Sequence, residues 1–145
     1  MDSSLNKPDQ IVETHSFVNS NLDLFENILN SLESVSAEAK SFLKEKVSSE
    51  GKVNNQLLEK HQHEGHGYAW FETYRIALRE TLNWFKTLKK LDKSTKLESG
   101  ILIFSFAEYL CQMRSGIMMS QTEVIRPENL GISNQSFSFC DSPDV

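Results

Sequence analysis

The stretch from His61 to Leu91 constrains the fold of this chain more than any other part of the sequence. Its apolar residues recur at spacings of three and four, the repeat of an α-helical face. Two adjacent rows follow this repeat, which makes the apolar face wide enough to contact two neighbouring helices. These rows are Trp70, Tyr74, Ala77, Thr81, Trp84, Leu88 and Phe71, Leu78, Leu82, Phe85. We predict a long central helix that begins near Asn54 or Asn55 and ends at Leu91.

Two glycines, Gly65 and Gly67, interrupt the amino-terminal part of this helix. Glycine in a helix interior costs about 1 kcal/mol relative to alanine. The pair therefore indicates either a kink or a place where another backbone comes very close.

Two amphipathic helices are predicted before the central one. The first spans residues 10–33, and the second begins after a capping serine, Ser34 or Ser36, and ends within residues 48–51. The apolar face of the first helix contains Val18, Leu22, Phe25, Leu29 and Leu32.

A fourth helix is predicted after the central one, because Thr95 and Glu98 match the capping box of a helix start. Ser120 and Glu123 match it again, which predicts a short extra helix that runs to Arg126 before Pro127. The apolar face of the fourth helix contains Leu102, Phe106, Leu110, Met113 and Ile117.

These segments predict an all-α fold, an antiparallel four-helix bundle with a long central third helix and a polar C-terminal tail. No segment shows the alternation of a convincing strand. The domain boundaries follow: residues 1–9 form a flexible arm, residues 10–127 the bundle domain, and residues 128–145 a tail or linker.

Charge and composition exclude several classes of protein. The net charge of −5 argues against nucleic-acid binding, which needs clustered basic residues. The sequence has no signal peptide pattern and no apolar run near the ~20 residues that a bilayer requires, so we expect no membrane contact. Cys111 and Cys140 lack the spacing of a zinc site and fit a reducing compartment. We therefore predict a cytoplasmic protein.

Glu108 is the most informative charged residue, because it lies in a second apolar row of the fourth helix, among Ile101, Phe104 and Cys111. An unpaired buried carboxylate is costly. Glu108 must therefore either reach water at the edge of the row or pair with a cation. The natural partners are Arg79 and His66, in a contact that would fix one helix against the other.

Other candidate sites have simpler explanations. His61, His63 and His66 match neither the HExxH helix of zinc hydrolases nor the paired Glu-x-x-His sets of di-iron bundles, so we predict no metal site. Aromatic residues at helical spacing favour a core, although Tyr68, Trp70, Tyr74 and Trp84 leave open the stacking of a flat ligand. Met113, Met118 and Met119 are typical of an adaptable partner surface or of packing at the bundle end.

Two blocks of sequence together resemble a known family: HGYAWFETYRIALR at 66–79, preceded by His61, and FAEYLCQMRSGIMMSQTEVIRPENLG at 106–131. They resemble the N-terminal helical extension of bacterial acyl-CoA dehydrogenase-like flavoproteins. The chain departs from the family pattern at four positions, where Ala107, Ser115 and Thr122 replace expected glycines and Met118 replaces an expected proline. The resemblance therefore predicts the helices but does not determine the backbone near 115–122. The polar positions that we single out as structural or interface candidates are His66, Trp70, Tyr74, Arg79, Glu108, Gln112 and Arg126.

This resemblance implies a non-catalytic accessory domain that serves subunit or domain contacts. The parent reaction would be the FAD-dependent α,β-dehydrogenation of acyl-CoA, whose flavin and catalytic carboxylate lie beyond the extension. We therefore assign no catalytic, cofactor-binding or metal-binding residue to this chain, either as a fragment or as a free-standing homologue. The expected partners are a dehydrogenase core of the same or another polypeptide and further copies in a homo-oligomer. The alternatives are a stand-alone interaction module that binds through the methionine-rich end, and, less favoured, a small metal-dependent enzyme.

Overall fold

The computed structural model describes residues 8–141 of the chain, which are mostly helical. The predicted all-α class is confirmed, with short additions of other structure. The α-helices are α1 (Pro8–Ser20), α2 (Leu22–Val47), α3 (Asn55–Lys60), α4 (Gln62–Lys90) and α5 (Lys96–Ser115). Two antiparallel hairpins pair β1 (Ser48–Ser49) with β2 (Lys52–Val53), and β3 (Ile117–Met118) with β4 (Val124–Ile125). Two 3₁₀ helices follow, Pro127–Leu130 and Asn134–Asp141. The prediction that the chain contains no strand was wrong at these hairpins.

Helix α4 lies at the centre of the fold and packs against both α2 and α5, as the width of its apolar face predicted. One of its two predicted rows forms the core: Phe71, Leu78, Leu82 and Phe85 are at most 1% exposed. The other row lies at the margin, where Trp84 is 39% exposed.

Helix α5 buries four residues of the predicted row, and the fifth, Ile117, is buried on β3 beyond the end of the helix. Helix α1 packs on α5. The antiparallel arrangement of four helices stays a prediction. No helix of the described residues is both long and apolar enough to span a bilayer.

The first two helices divide at a different place from the one predicted. The break lies at Asn21, whose side-chain amide donates to the carbonyl of Phe17 at 2.8 Å and so satisfies the end of α1. Helix α2 continues through Ser34, which caps nothing because its hydroxyl donates to the carbonyl of Asn30 at 3.4 Å. A serine within a helix often bonds the preceding turn in this way, which the sequence pattern does not distinguish from capping.

The long third helix begins as predicted but is not continuous. The side-chain oxygen of Asn54 accepts from the amides of the second and third residues that follow it, at 2.9 and 3.1 Å, and caps α3. The break lies at His61, before the two glycines. A Cβ on Gly67 would lie only 2.3 Å from Ile125 Cγ1, so Gly67 admits a neighbouring side chain to the helix backbone. The close approach is thus made by a side chain and not by a backbone.

The capping box of α5 is confirmed, since both Thr95 and Glu98 make its reciprocal bonds. The short helix predicted from Ser120 to Arg126 was wrong, because these residues form the turn and second strand of the β3–β4 hairpin. The carbonyl of Glu123 accepts from two backbone amides across the turn. Helix α5 ends before Gly116, whose φ of 143° suits glycine and redirects the chain.

The segment after the hairpin is packed, not a loose polar tail. Leu130, Ile132 and Phe137 are at most 3% exposed and belong to the core. The hydroxyl of Ser136 donates to Glu38 of α2 at 2.6 Å. The predicted tail character was therefore wrong as far as Asp141. Residues 142–145 and most of the predicted arm lie outside the described residues, and α1 already begins at Pro8.

Candidate functional site

A surface where α4 meets α5 collects most of the polar candidates. We call it the aromatic strip, and it comprises His66, Trp70, Tyr74, Glu108, Tyr109 and Gln112. The α4 members recur every four residues, which aligns them along one side of that helix. The α5 members Glu108 and Gln112 are also four residues apart.

Hydrogen bonds connect neighbouring members of the strip. The indole of Trp70 donates to His66 Nε2 at 3.1 Å. The hydroxyl of Tyr74 donates to Gln112 Oε1 at 2.8 Å, which joins the two helices. The amide of Gln112 in turn donates to Glu108 Oε1 at 2.5 Å. The orientation of the Gln112 amide is thereby fixed on both sides.

Ring contacts add to these hydrogen bonds. Tyr74 and Tyr109 stack with centroids 4.4 Å apart and planes inclined by 19°. Trp70 meets Tyr74 edge to face at 6.2 Å. Burial raises the pKa of Tyr74 above its ordinary value, and the neighbouring Tyr109 and Glu108 act in the same direction. Tyr74 is therefore a neutral phenol that keeps its donor proton at physiological pH.

The predicted contact of Glu108 with Arg79 was wrong. Arg79 instead faces α2, with its guanidinium 3.5 Å from Glu26 and 3.6 Å from Glu33. Glu108 is exposed and meets Gln112, so the alternative that it reaches water at the edge of the row is the correct one. The predicted contact with His66 is likewise replaced, because His66 accepts from the indole of Trp70.

The remaining candidates do not join the strip. Arg126 is exposed at the end of the β3–β4 hairpin, and its backbone amide donates to Asn129 Oδ1 at 2.9 Å. His61 Nδ1 lies 3.2 Å from Glu64 Oε1, and His63 is exposed. Among the residues that the structure describes, no three His, Cys, Asp or Glu side chains group together as a metal site would require.

Two of the three methionines of the predicted partner surface are buried. Met113 is 1% and Met119 is 9% exposed, and both belong to the core, whereas Met118 is 65% exposed on the hairpin. One exposed methionine does not form an adaptable surface, so the alternative of packing within the fold is the one that fits Met113 and Met119.

Sequence reasoning missed a second polar cluster, in which Glu72 binds Arg75 and the buried Ser36. The Arg75–Glu72 distance is 2.8 Å, and Ser36 donates to Glu72 across from α2. Burial alone would raise the pKa of Glu72, but the bonds from Arg75 and Ser36 outweigh it and hold the pKa below its usual 4.5. The spacing of Glu72 and Arg75 was a signal for this pair. Nothing in the sequence indicated that Ser36 bonds Glu72, or that Tyr109 stacks on Tyr74.

The aromatic strip can serve recognition better than chemistry. Its rings pack on one another and its carboxylate is exposed, so the described residues supply orientation and hydrogen bonds but no activated nucleophile. Tyrosine and tryptophan are enriched at protein interfaces because they combine a large apolar ring with a polar group.

Comparison with known proteins shows what this chain is similar to. No family model matches the chain. It is 39% identical over 111 residues to (2S)-methylsuccinyl-CoA dehydrogenase of Cereibacter sphaeroides. The match covers 77% of this chain and 20% of the dehydrogenase, so the chain spans about one fifth of the length of the relative that it matches. The resemblance predicted from the two sequence blocks is confirmed: the chain is similar to one part of an acyl-CoA dehydrogenase.

Proposed function

We propose that this chain is a non-catalytic helical accessory domain of an acyl-CoA dehydrogenase-like flavoprotein, which contacts the dehydrogenase body through the aromatic strip. The observation that carries the proposal is the match itself, which extends over most of this chain but only a fifth of the dehydrogenase. The dehydrogenation of acyl-CoA would then belong to the body.

The chemistry of the strip supports a contact role. Tyr74, Tyr109 and Gln112 are held by one another before any partner arrives, so binding would order few additional side chains. Contacts prepared in this way lose less entropy on association. The neutral phenol and the amide fixed by it would recognise polar groups at the rim of a partner surface.

The ring contacts of the strip argue against a flavin held between its aromatic side chains. An isoalloxazine would have to lie against an aromatic face, and the closely stacked Tyr74 and Tyr109 leave no gap between their rings. Trp70 is turned edge-on to Tyr74. We therefore propose that the dehydrogenase body holds the FAD of the parent protein.

The carboxylates also argue for a structural role. Glu72, although partly buried, is held ionised by Arg75 and Ser36 and has a lowered pKa, so it is a poor proton acceptor near neutral pH. Glu108 is exposed and bonded to Gln112. Neither carboxylate is placed in an enclosed site beside a partner for proton transfer.

A replacement experiment tests the proposal. The matched segment of the Cereibacter sphaeroides dehydrogenase would be deleted, or exchanged for this chain. We expect deletion to lower flavin retention and activity with (2S)-methylsuccinyl-CoA, and the exchange to restore a substantial part of both. A deletion variant that equals the intact enzyme would contradict an accessory role, as would an isolated chain that purifies with bound FAD.

Matched variants then locate the contact. Within the exchanged enzyme, Tyr74→Phe removes only the hydroxyl, and Gln112→Ala removes the amide that it holds. We expect both to lower flavin retention severalfold. Ile76→Ala, at an exposed position of the same helix, serves as the control and should change nothing. If all three variants behave alike, the strip is not the contact surface.

One observation favours the alternative of a stand-alone interaction module, namely an exposed apolar row on α5. That row would carry the interaction in place of the methionine-rich end.

A further inference from the structure

Helix α5 is apolar on two opposite faces. Its inner face is buried in the core, but Leu97, Ile101 and Phe104 on the other side are 68%, 41% and 75% exposed. We call these three residues the α5 outer row. A helix that is hydrophobic all round is normally covered on all sides. These three side chains stay exposed although α1 packs on the same helix.

The surface beside the row fits an elongated partner better than a small molecule. A concavity of about 710 Å³ lies along it, lined by residues of 96–105 together with Thr14 of α1. Its volume is within the range of ligand pockets, but such pockets enclose most of their ligand. Here nearly all lining residues belong to a single helix, so a small molecule would be held from one side only. A second helix, laid alongside, would fill the same space.

Charges at the two ends of the row are of opposite sign. Lys93 and Lys96 are exposed at its amino-terminal end, and Glu108 is exposed at its carboxyl-terminal end. At 1.5 Å per residue, Lys96 and Glu108 are separated by roughly 18 Å along the helix. Their midpoint falls at residue 102, between Ile101 and Phe104.

We propose that the α5 outer row is covered by a second copy of this chain, with the two α5 helices antiparallel about a two-fold axis. An axis near residue 102 brings Ile101 of each copy against Phe104 of the other. The same rotation brings Lys96 of each copy towards Glu108 of the other. Such a two-fold contact uses one patch twice and must be complementary to itself, which a row with opposite charges at its ends satisfies.

The expected strength of this contact follows from its size. One helix per copy buries an area at or below the lower end of the ~1,200–2,000 Å² of stable complexes. We therefore expect a reversible dimer that dissociates at micromolar chain concentrations. The end charges are exposed, so salt should weaken the dimer modestly.

Sedimentation equilibrium over a range of concentrations tests the association. We expect the mass to rise with concentration from 16.6 kDa for the monomer towards twice that value. Phe104→Glu should abolish the rise, whereas Ile76→Glu, at an exposed position of α4, should leave it unchanged. A chain that stays monomeric at hundreds of micromolar would overturn the proposal, and so would a dimer that Phe104→Glu leaves intact.

Charge reversal tests the antiparallel register. Lys96→Glu and Glu108→Lys should each weaken dimerisation about three- to tenfold, because each places like charges together. The double variant should restore the dissociation constant to within about twofold of the original. Additive weakening in the double variant would refute this register. The two proposals fail separately: a chain that stays monomeric overturns this inference and leaves the deletion experiment unaffected, whereas a dehydrogenase bound through the outer row would also overturn the contact assigned to the aromatic strip.

Discussion

The contact between Gly67 and Ile125 gives the sharpest test of the fold. A Cβ built on Gly67 would lie 2.3, 2.7 and 2.9 Å from Cγ1, Cδ1 and Cβ of Ile125, against the 3.5–4.0 Å of ordinary carbon contacts. Rotating the Ile125 side chain relieves the first two distances but not the third. Helix α4 or the β3–β4 hairpin must therefore move if Gly67 is replaced.

We expect Gly67→Ala to destabilise the protein by about 2 kcal/mol. Overpacking of a well-packed core costs about 1–3 kcal/mol, and the third distance places this site at the upper end. Alanine offsets about 1 kcal/mol of that cost through its higher helix propensity. Gly65→Ala is the matched control, because its nearest neighbour is Leu58 Cδ1 at 4.0 Å. Without the steric cost, it should stabilise by about 0.5–1 kcal/mol.

Urea denaturation followed by circular dichroism would measure the free energy of unfolding of both variants, and thermal denaturation would measure their melting temperatures. The melting temperatures should differ by on the order of 10 °C for a chain of this length. Ile125→Ala in the Gly67→Ala background removes the two closest atoms, Cγ1 and Cδ1, and leaves only the Cβ distance of 2.9 Å, so its cost should be at least about 1 kcal/mol smaller than in the original protein. Equal shifts for the two glycines, or additive effects in the double variant, would refute the reasoning.

Three further outcomes are expected. Glu72→Gln should lower the free energy of unfolding by about 1–3 kcal/mol at pH 7, because the carboxylate bonds Arg75. Folding lowers the pKa of Glu72 below 4.5, so the carboxylate stabilises the fold at neutral pH and loses this effect as the pH drops below 4.5. The difference in the free energy of unfolding between variant and original should therefore narrow in acid titrations. Phe137→Ala should lower the free energy of unfolding by about 3–5 kcal/mol in urea denaturation, because the ring is 1% exposed in the core. A loss near zero would indicate that this segment is a loose tail. Glu108→Gln should change the free energy of unfolding by less than about 0.5 kcal/mol, because the side chain is exposed. A loss near 3 kcal/mol would instead indicate a buried ion pair.

The sequence was sufficient where a pattern reports one physical cause. The repeat of Phe71, Leu78, Leu82 and Phe85 has no explanation other than burial of one helix face, and these residues form the core. Thr95 and Glu98 stand at the spacing that a capping box requires, and they form one. The two blocks of family resemblance also indicated an acyl-CoA dehydrogenase, and the chain is similar to one part of such an enzyme.

Other predictions failed because one pattern serves two structures. Ser120 and Glu123 have the spacing of a helix start, but the residues between them turn a hairpin instead. Ser34 and Ser36 resemble caps, but the apolar face of α2 continues on both sides of them, and the helix continues through both residues.

The candidate site was predicted only in part, since its geometry depends on how two helices meet. Tyr74 and Gln112 are 38 residues apart and their bond follows from the packing of α4 on α5. The position of Glu108 within an apolar row indicated burial, but a row on the outer side of a helix is apolar for a different reason. Periodicity cannot tell an inner apolar face from an outer one when a helix has both.

The links between α2 and the last described residues bear on how the molecule is made. Glu38 accepts from the amide of Ser133 and the hydroxyl of Ser136, 95 and 98 positions later, and Gly131 lies against the ring of Phe42. During synthesis, the side of α2 that carries Glu38 and Phe42 therefore stays open to solvent until Ser133 and Ser136 have been made. Contacts between residues so far apart close slowly. The docking of the segment that carries Phe137 against α2 should therefore be a late step of folding.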